Sequence, residues 1–353
     1  MNNETLSITE ICGTAIEAGH EYGRSFETSI IGFCRQELKP DEERLQHARR
    51  CWPSIEEHAP RSAAFMRGMA EGAGISLDHI VLTTLHEEIF VLDTHCTAFA
   101  ATDSATRSGN ALVAMNWDWN TNLHRWPGLL RLDVQDWPRM LTYHYPGLWA
   151  GAGINEAGMA FMWTGAGFFP RRKELAEGVP TYVLINEILR RSTVGETLEF
   201  LDSVPFAGAF IFFLGDADGR TALVEGLPDH MTVVEDQDTV TRANHYECPP
   251  ARSASRQEIP EPEESTTCYR AGRMEELISE NRGRLDVAEG RRIMTDRDGE
   301  WPWLHQYPGR TGRDAITLRA MTIDSLIADC ENRVLHTCRG GRTPGPWQRV
   351  PVG

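Results

Sequence analysis

The alternation of apolar and polar residues falls into four successive stretches: helical, strand-like, helical, and strand-like again. Residues 14–70 read as helical. Asp41 is placed to cap "EERLQHARRCW", Pro53 to open "SIEEHAPRSAAFMRGMA", and the glycines of "EGAG" to close it. A short apolar segment, "HIVLTTLHEEIF", leads to Cys96. From about residue 97 short apolar runs alternate with turns, which predicts strands at "ALVAMNWDW", "GLLRLDV", "RMLTYHY", "LWAGAGI" and "GMAFMWTG", with "NEAG" as a hairpin turn. "PTYVLINEILRRS" and "VGETLEFLDSV" return to apolar spacings of three and four, the helical period. "AFIFFLGDADGRTALVEG" reads as a second hairpin. Residues 249–268, polar and Pro-rich, read as an exposed loop before the helix "AGRMEELISENRG". "TLRAMTIDSL" and "RVLHTCRGG" close the chain as a strand pair. This order of elements predicts antiparallel sheet with segregated helices, an α+β fold, rather than a doubly wound one. "GAGINEAG" is no dinucleotide fingerprint, because no helix with a ribose-binding acid follows it.

Composition narrows the function. The 353 residues are long enough for a full core, and a net charge of −16 disfavours nucleic acid and anionic membranes. No run approaches the length of a membrane span. The opening "MNNETLSITEICGTAIEAGHEYG" has no basic segment followed by an apolar one, so the cytoplasm is the expected location. The eight cysteines form no CxxC pair and read as reduced thiols, and no metal is expected. "DADG" and "DRDGE" lack the remaining ligands of a calcium loop and read as turns.

One cysteine stands apart. Cys96 follows the polar Asp93, Thr94 and His95 where helix gives way to sheet. Neighbours on a strand face opposite ways, so His95 is a poor base for it. If the His95–Cys96 bond is cut, however, the α-amine of Cys96 becomes free, and its pKa of roughly 7.7–8.0 suits a general base at neutral pH. Such a site needs an acceptor for the amine and a donor for an oxyanion. Asp118, on the strand that turns back from Cys96, and the uncharged Asn244 of "TRANHYEC" are the candidates.

Taken in order, "CTAFAA", "NWDW", "RANHY", the "TYVLINEILRRSTVGETLEFL" helices and the final "TLRAMTIDSLIADCENRVLHTCRGG" resemble the acyl-coenzyme A:6-aminopenicillanic acid acyltransferase family of N-terminal-nucleophile hydrolases. The resemblance runs over most of residues 13–341. It implies a four-layer αββα sandwich and a precursor that cleaves itself before the cysteine. Residues 1–95 would be a helical pro-segment or small subunit of the same domain, and 96–353 the catalytic large subunit, the two staying associated. Cys96 would be the nucleophile, Asp118 the carboxylate that orients its amine, and Asn244 the oxyanion-binding amide. Where the family carries Gly before the nucleophile, this chain has His95, and His305 matches the family's later histidine motif only in part.

The implied activity is hydrolysis or transfer of the acyl group of a small N-acyl compound through an acyl-Cys96 thioester. It needs no cofactor, with acyl-coenzyme A admissible as acyl donor and a homo-oligomer compatible with the fold. Trp117, Trp119, Trp126, Trp137, Trp149 and Trp163, followed by Phe168 and Phe169, crowd one stretch. Trp117, Trp119, Trp149 and Trp163, with His245, are candidates for a substrate pocket, against the alternative of ordinary sheet core. The competing reading keeps the fold but not the cut: an intact chain using an internal thiol, or only binding a ligand.

Overall fold

The computed structural model describes residues 5–89, 96–166, 176–235, 237–255, 266–298, 303–307 and 320–353. His95, Phe168, Phe169, residues 256–265 of the Pro-rich stretch and the end of "DRDGE" lie outside them.

In chain order the elements begin with β1 (Ile8–Gly13), α1 (Ala15–Ser25), α2 (Glu27–Phe33), a π-helical turn (Cys34–Leu38), α3 (Glu42–His58), α4 (Pro60–Ala73), α5 (Leu77–Thr84) and α6 (His86–Ile89). Then come β2 (Thr97–Asp103), β3 (Gly109–Asn120), a 3₁₀ turn (Thr121–Arg125), β4 (Gly128–Val134), β5 (Met140–Tyr145), β6 (Leu148–Asn155) and β7 (Ala160–Gly165). Next are α7 (Thr181–Ile188), α8 (Val194–Asp202), β8 (Phe210–Gly215), β9 (Thr221–Leu227), β10 (His230–Val234) and β11 (Thr239–Arg242). The chain closes with α9 (Pro249–Ser255), α10 (Thr267–Glu280), α11 (Val287–Met294), β12 (Ala320–Asp329), β13 (Val334–Arg339) and β14 (Trp347–Pro351).

The strands form an eight-stranded sheet, β1-β4-β5-β6-β7-β8-β9-β10, and a six-stranded sheet, β11-β2-β3-β12-β13-β14. All pairings are antiparallel except β1 with β4. The two sheets pack face to face, with α1, α4 and α7 on the outer side of the larger and α10 and α11 on that of the smaller. This is the four-layer αββα arrangement. Both faces of β2 and β3 are therefore buried, which is why they read as near-continuous apolar runs. Ala98, Ala100, Val113, Met115 and Trp117 join the core between the sheets. Phe99, Ala101, Leu112 and Ala114 pack outward on Met274, Leu277, Ile293 and Met294.

Asp41 caps α3, accepting from Arg44 N at 2.9 Å. Pro53 does not open a helix: α3 runs through it to His58, and the break falls at Ala59, with Pro60 as the first residue of α4. Proline at that position lacks only an N–H that the helix would leave unpaired. The segment before Cys96 forms α5 and α6. "DADG" is a side-chain-stabilised turn, in which Asp216 Oδ1 accepts from Asp218 N at 3.1 Å and Arg220 N at 3.0 Å. Residues 249–255 are helical rather than loop. Strands β1, β10, β11 and β14 and helix α11 add to the elements expected from the pattern.

Candidate active site

Two strand registers bring the distant residues together. Thr97 pairs with Asn116 on one side of β2, and Ala98 pairs with Arg242 on the other. Carried back along β2, by one step from the first pairing and two from the second, these antiparallel registers put Cys96 abreast of Trp117, one residue from Asp118, and abreast of Asn244. Cys96 is 5% exposed, and its thiol lies 3.9 Å from the Asp118 carbonyl oxygen. Burial, reinforced by the Asp118 charge, pushes the thiol well above its ordinary pKa, so within the continuous chain it is protonated.

Asp118 is wholly buried. Its Oδ1 accepts from the Thr322 hydroxyl at 2.5 Å, while Oδ2 has no partner among the described residues. Loss of water raises its pKa to about 8, against the lowering influence of the Arg270 charge and the Thr322 bond. A buried acceptor left unsatisfied costs about 1–3 kcal/mol, so this oxygen is where an added donor would gain most. A bulge between Thr322 and Asp324 sets up this side of the site. It lets Thr322 meet Asp118 while Asp324, paired opposite Trp117, receives the Tyr143 hydroxyl from the other sheet at 2.6 Å. Gly340 N donates to Ile323 O at the bulge at 2.8 Å. Any Cβ at Gly340 would overlap the Thr322 carbonyl oxygen, so only glycine fits there.

Asn244 is held at both ends of its amide. Nδ2 donates to Gly165 O of the larger sheet at 2.9 Å, and Oδ1 accepts from Arg270 Nη2 at 2.7 Å. Arg270 was not among the residues expected from the sequence, and it is the hub of the site. It is fully buried, donates through Nη1 to the Cys96 carbonyl and to Thr97 Oγ1 at 2.6 Å, and donates through Nε to Thr266 Oγ1 at 3.0 Å. Burial lowers its pKa, an effect opposed by the Asp118 charge. The signal that could have found it lies in "CYRAGRMEELI": Arg270 shares the buried stripe of α10 with Met274, Leu277 and Ile278. A guanidinium on such a face has to have partners.

On the sulfur's side of β3 lies a cavity of ≈ 10 Å³ lined by Phe33, His86, Trp117, Trp119, Tyr145 and Tyr182, with two leucines. Of the candidate pocket residues, Trp117 and Trp119 line it. Trp163 packs edge-on against Trp117 at 5.8 Å, and Trp149 stacks on Phe65 at 5.1 Å. His245 is not among the lining residues; its Nδ1 lies 3.0 Å from Thr267 Oγ1. His305 is buried beside Arg297, whose Nη2 is 2.6 Å from its Nδ1. All eight cysteines are free. Among the described residues no group of three His, Cys, Asp or Glu is placed to hold a metal ion, and no helix is long and apolar enough to cross a membrane.

The model of one protein family, acyl-coenzyme A:6-aminopenicillanic acid acyl-transferase, matches residues 105–343, well over half of the chain. The chain belongs to that family. The match takes in Asp118, Asn244 and Arg270, and Cys96 stands just before it. No curated protein matches the chain. Among solved structures, two variants of the conjugated bile acid hydrolase from Clostridium perfringens are 14% identical. Each alignment covers 72% of this chain and 92% of the other, at TM-scores of 0.51 and 0.53. Penicillin V acylase from Agrobacterium tumefaciens is also 14% identical over 73% of this chain and 92% of its own, at a TM-score of 0.49. At such identity the bile acid hydrolase likeness speaks for the fold, and it agrees with the layering described above. Membership of this acyl-transferase family makes the protein an enzyme of acyl transfer at amide bonds.

Proposed function

We propose that the protein cuts itself between His95 and Cys96 and then hydrolyses or transfers the acyl group of a small N-acyl compound through a thioester on Cys96. The observation that carries this reading is the meeting of Cys96, Asn244 and Asp118 around Arg270. A scaffold with no chemistry at this point has little reason to bury a guanidinium and a half-satisfied carboxylate beside a thiol.

Maturation would begin with attack of Sγ on the carbonyl carbon of residue 95. The peptide C–N bond breaks as the C–S bond forms, the amine takes a proton, and water then hydrolyses the thioester. Residues 1–95 and 96–353 become two associated fragments. The new α-ammonium would have a counter-charge in Asp118, whose Oδ2 has no other partner among the described residues. In turnover the neutral α-amine takes the thiol proton, and the thiolate attacks the substrate carbonyl. The Asn244 amide, its donor end fixed because Oδ1 faces Arg270, stabilises the oxyanion. The leaving amine takes the proton held by the α-ammonium. Water or a second amine then attacks the thioester, and the thiol is restored. Acyl-coenzyme A would enter as an alternative donor by thioester exchange, with its own thiol as leaving group, and no resident cofactor is needed.

Intact mass and N-terminal sequencing of the purified protein test the proposal. Two masses and a new N-terminus at Cys96 are expected, with a single mass for Cys96→Ala. A full-length chain that turns over substrate would instead favour an internal thiol, and cutting of Cys96→Ala at the same bond would rule out self-processing.

A further inference from the structure

We infer that Thr267 is a positioning residue for acyl transfer: its hydroxyl, anchored by His245, holds the backbone of Asn244 so that the amide meets the developing oxyanion. The inference rests on the proposed function, in which Asn244 is that donor.

β11 ends at Arg242, where its ladder to β2 closes on Ala98. Asn244 lies just beyond that end, and its backbone N–H is met by a side chain: Thr267 Oγ1 accepts it at 2.9 Å. Thr267 is the first residue of α10, and Arg270 follows one turn later on the same face of the helix. One helix face thus grips the asparagine twice, the hydroxyl at the backbone N–H and the guanidinium at Oδ1. From the opposite side β7 supplies Thr164 Oγ1, which donates to Ala243 O at 2.5 Å, and Gly165 O, the acceptor of Nδ2. With the backbone N–H and the amide oxygen both held, the side-chain torsions between them are confined to one rotamer. The amide nitrogen is thereby aimed before any substrate arrives, the condition under which an oxyanion donor has its full effect.

His245 makes the hydroxyl a fixed point. Its Nδ1 lies 3.0 Å from Thr267 Oγ1, and both residues are buried. A hydroxyl has one proton and two lone pairs. One lone pair takes the Asn244 N–H. The bond to the imidazole then forms in either tautomer, through the hydroxyl proton or through the second lone pair. The ring brings no charge to the site at neutral pH: burial, reinforced by the Arg270 and Arg242 charges, lowers His245 to about 4. The histidine expected in a substrate pocket stands instead behind the amide.

The test sets two reactions of the same sulfur side by side. p-Nitrophenyl acetate acylates Cys96 through a tetrahedral oxyanion and releases p-nitrophenolate, whereas iodoacetamide alkylates it by direct displacement and builds no oxyanion. Thr267→Val keeps the shape of the side chain and loses the hydroxyl. It should slow p-nitrophenolate release roughly tenfold, a part of the 10²–10³ that loss of a whole oxyanion donor typically costs, with alkylation of Cys96 within about twofold of wild type. Thr267→Ser should bring release back to within a few-fold of wild type. In an Asn244→Ala background Thr267→Val should change release by less than about twofold, because the amide it positions is gone. If Thr267→Val does not fold, His245→Leu against His245→Asn makes the same comparison, since asparagine keeps a polar atom at the place of Nδ1 and leucine does not. Release equal with and without the bonding group, acylation and alkylation slowed alike, or full additivity with Asn244→Ala overturns the inference. Failure of the underlying reading looks different: the wild type would release no p-nitrophenolate, or Cys96→Ala would release it as fast.

Discussion

Arg270 Nη2 and Asn244 Oδ1 are 2.7 Å apart, and the same guanidinium reaches the carbonyl of Cys96. A residue of α10 thus clamps the end of β11 to the start of β2. Lysine cannot reproduce a planar fork that serves several acceptors at once. Arg270→Lys is expected to lower kcat by roughly 10–100-fold with the fold retained. Because both act on one interaction, adding Asn244→Asp should then cost far less than it does alone. A double-mutant cycle on kcat checks this, and full additivity would show that Arg270 does not act through Asn244.

Asn244→Asp isolates the proposed donor. It keeps an acceptor for Arg270 while removing the N–H groups. Loss of one preorganised oxyanion donor typically costs on the order of 10²–10³ in turnover. The expected outcome is that fall in kcat with KM within a few-fold, together with a lower melting temperature, because a carboxylate oxygen now faces the Gly165 carbonyl to which Nδ2 donated. If kcat is unchanged, Asn244 is a structural clamp only.

Asp118→Asn should slow both maturation and turnover, since the amine loses its charged acceptor while the Thr322 bond can persist. A fall of roughly 10²–10⁴ is expected for a group that governs the general base. Timed gels of fragment appearance and steady-state rates of the matured variant measure the two effects separately. Wild-type values in both would remove the role.

The uncut protein should lose stability from about pH 6.5 to 8.5. Asp118, Asp324 and Glu88 are raised by burial to about 8, 7 and 7. The folded chain therefore holds protons that the unfolded chain has released, and this stabilisation is lost as pH rises through the folded values. Histidines act with the opposite sign. Burial lowers His144 and His305 to about 3, and His245 and His336 to about 4. Their contribution is complete above the ordinary value of 6.5, so it adds no slope in this window. Melting curves of Cys96→Ala should fall with pH there, and Asp118→Asn in that background should flatten the fall.

The sequence made the strands legible because β2 to β9 are apolar runs cut by turns, and "NWDW" and "RANHY" sit at strand ends where chemistry is exposed to the eye. Arg270 was not legible, because its importance depends on which acceptors α10 faces, and that is set by packing across the sheet. Pro53 misled because proline is read as a helix start, yet α3 carries it through. Strand β1 was missed because its alternation is weak: only one of its six residues is buried.

With the proposed cut before Cys96, that first strand would alter the molecularity of folding. β1 lies beside β4, with Ile8 opposite Leu129, so the segment before residue 95 is woven into a sheet completed by the segment after it. In the same segment α1 and α4 touch backbone to backbone through Gly19, Gly23, Gly68 and Gly72, forming a layer the sheet cannot lack without exposing its face. In a chain severed there, unfolding would become dissociation. A process that was unimolecular and independent of dilution turns bimolecular, and the matured protein would be reached by a route it cannot easily retrace.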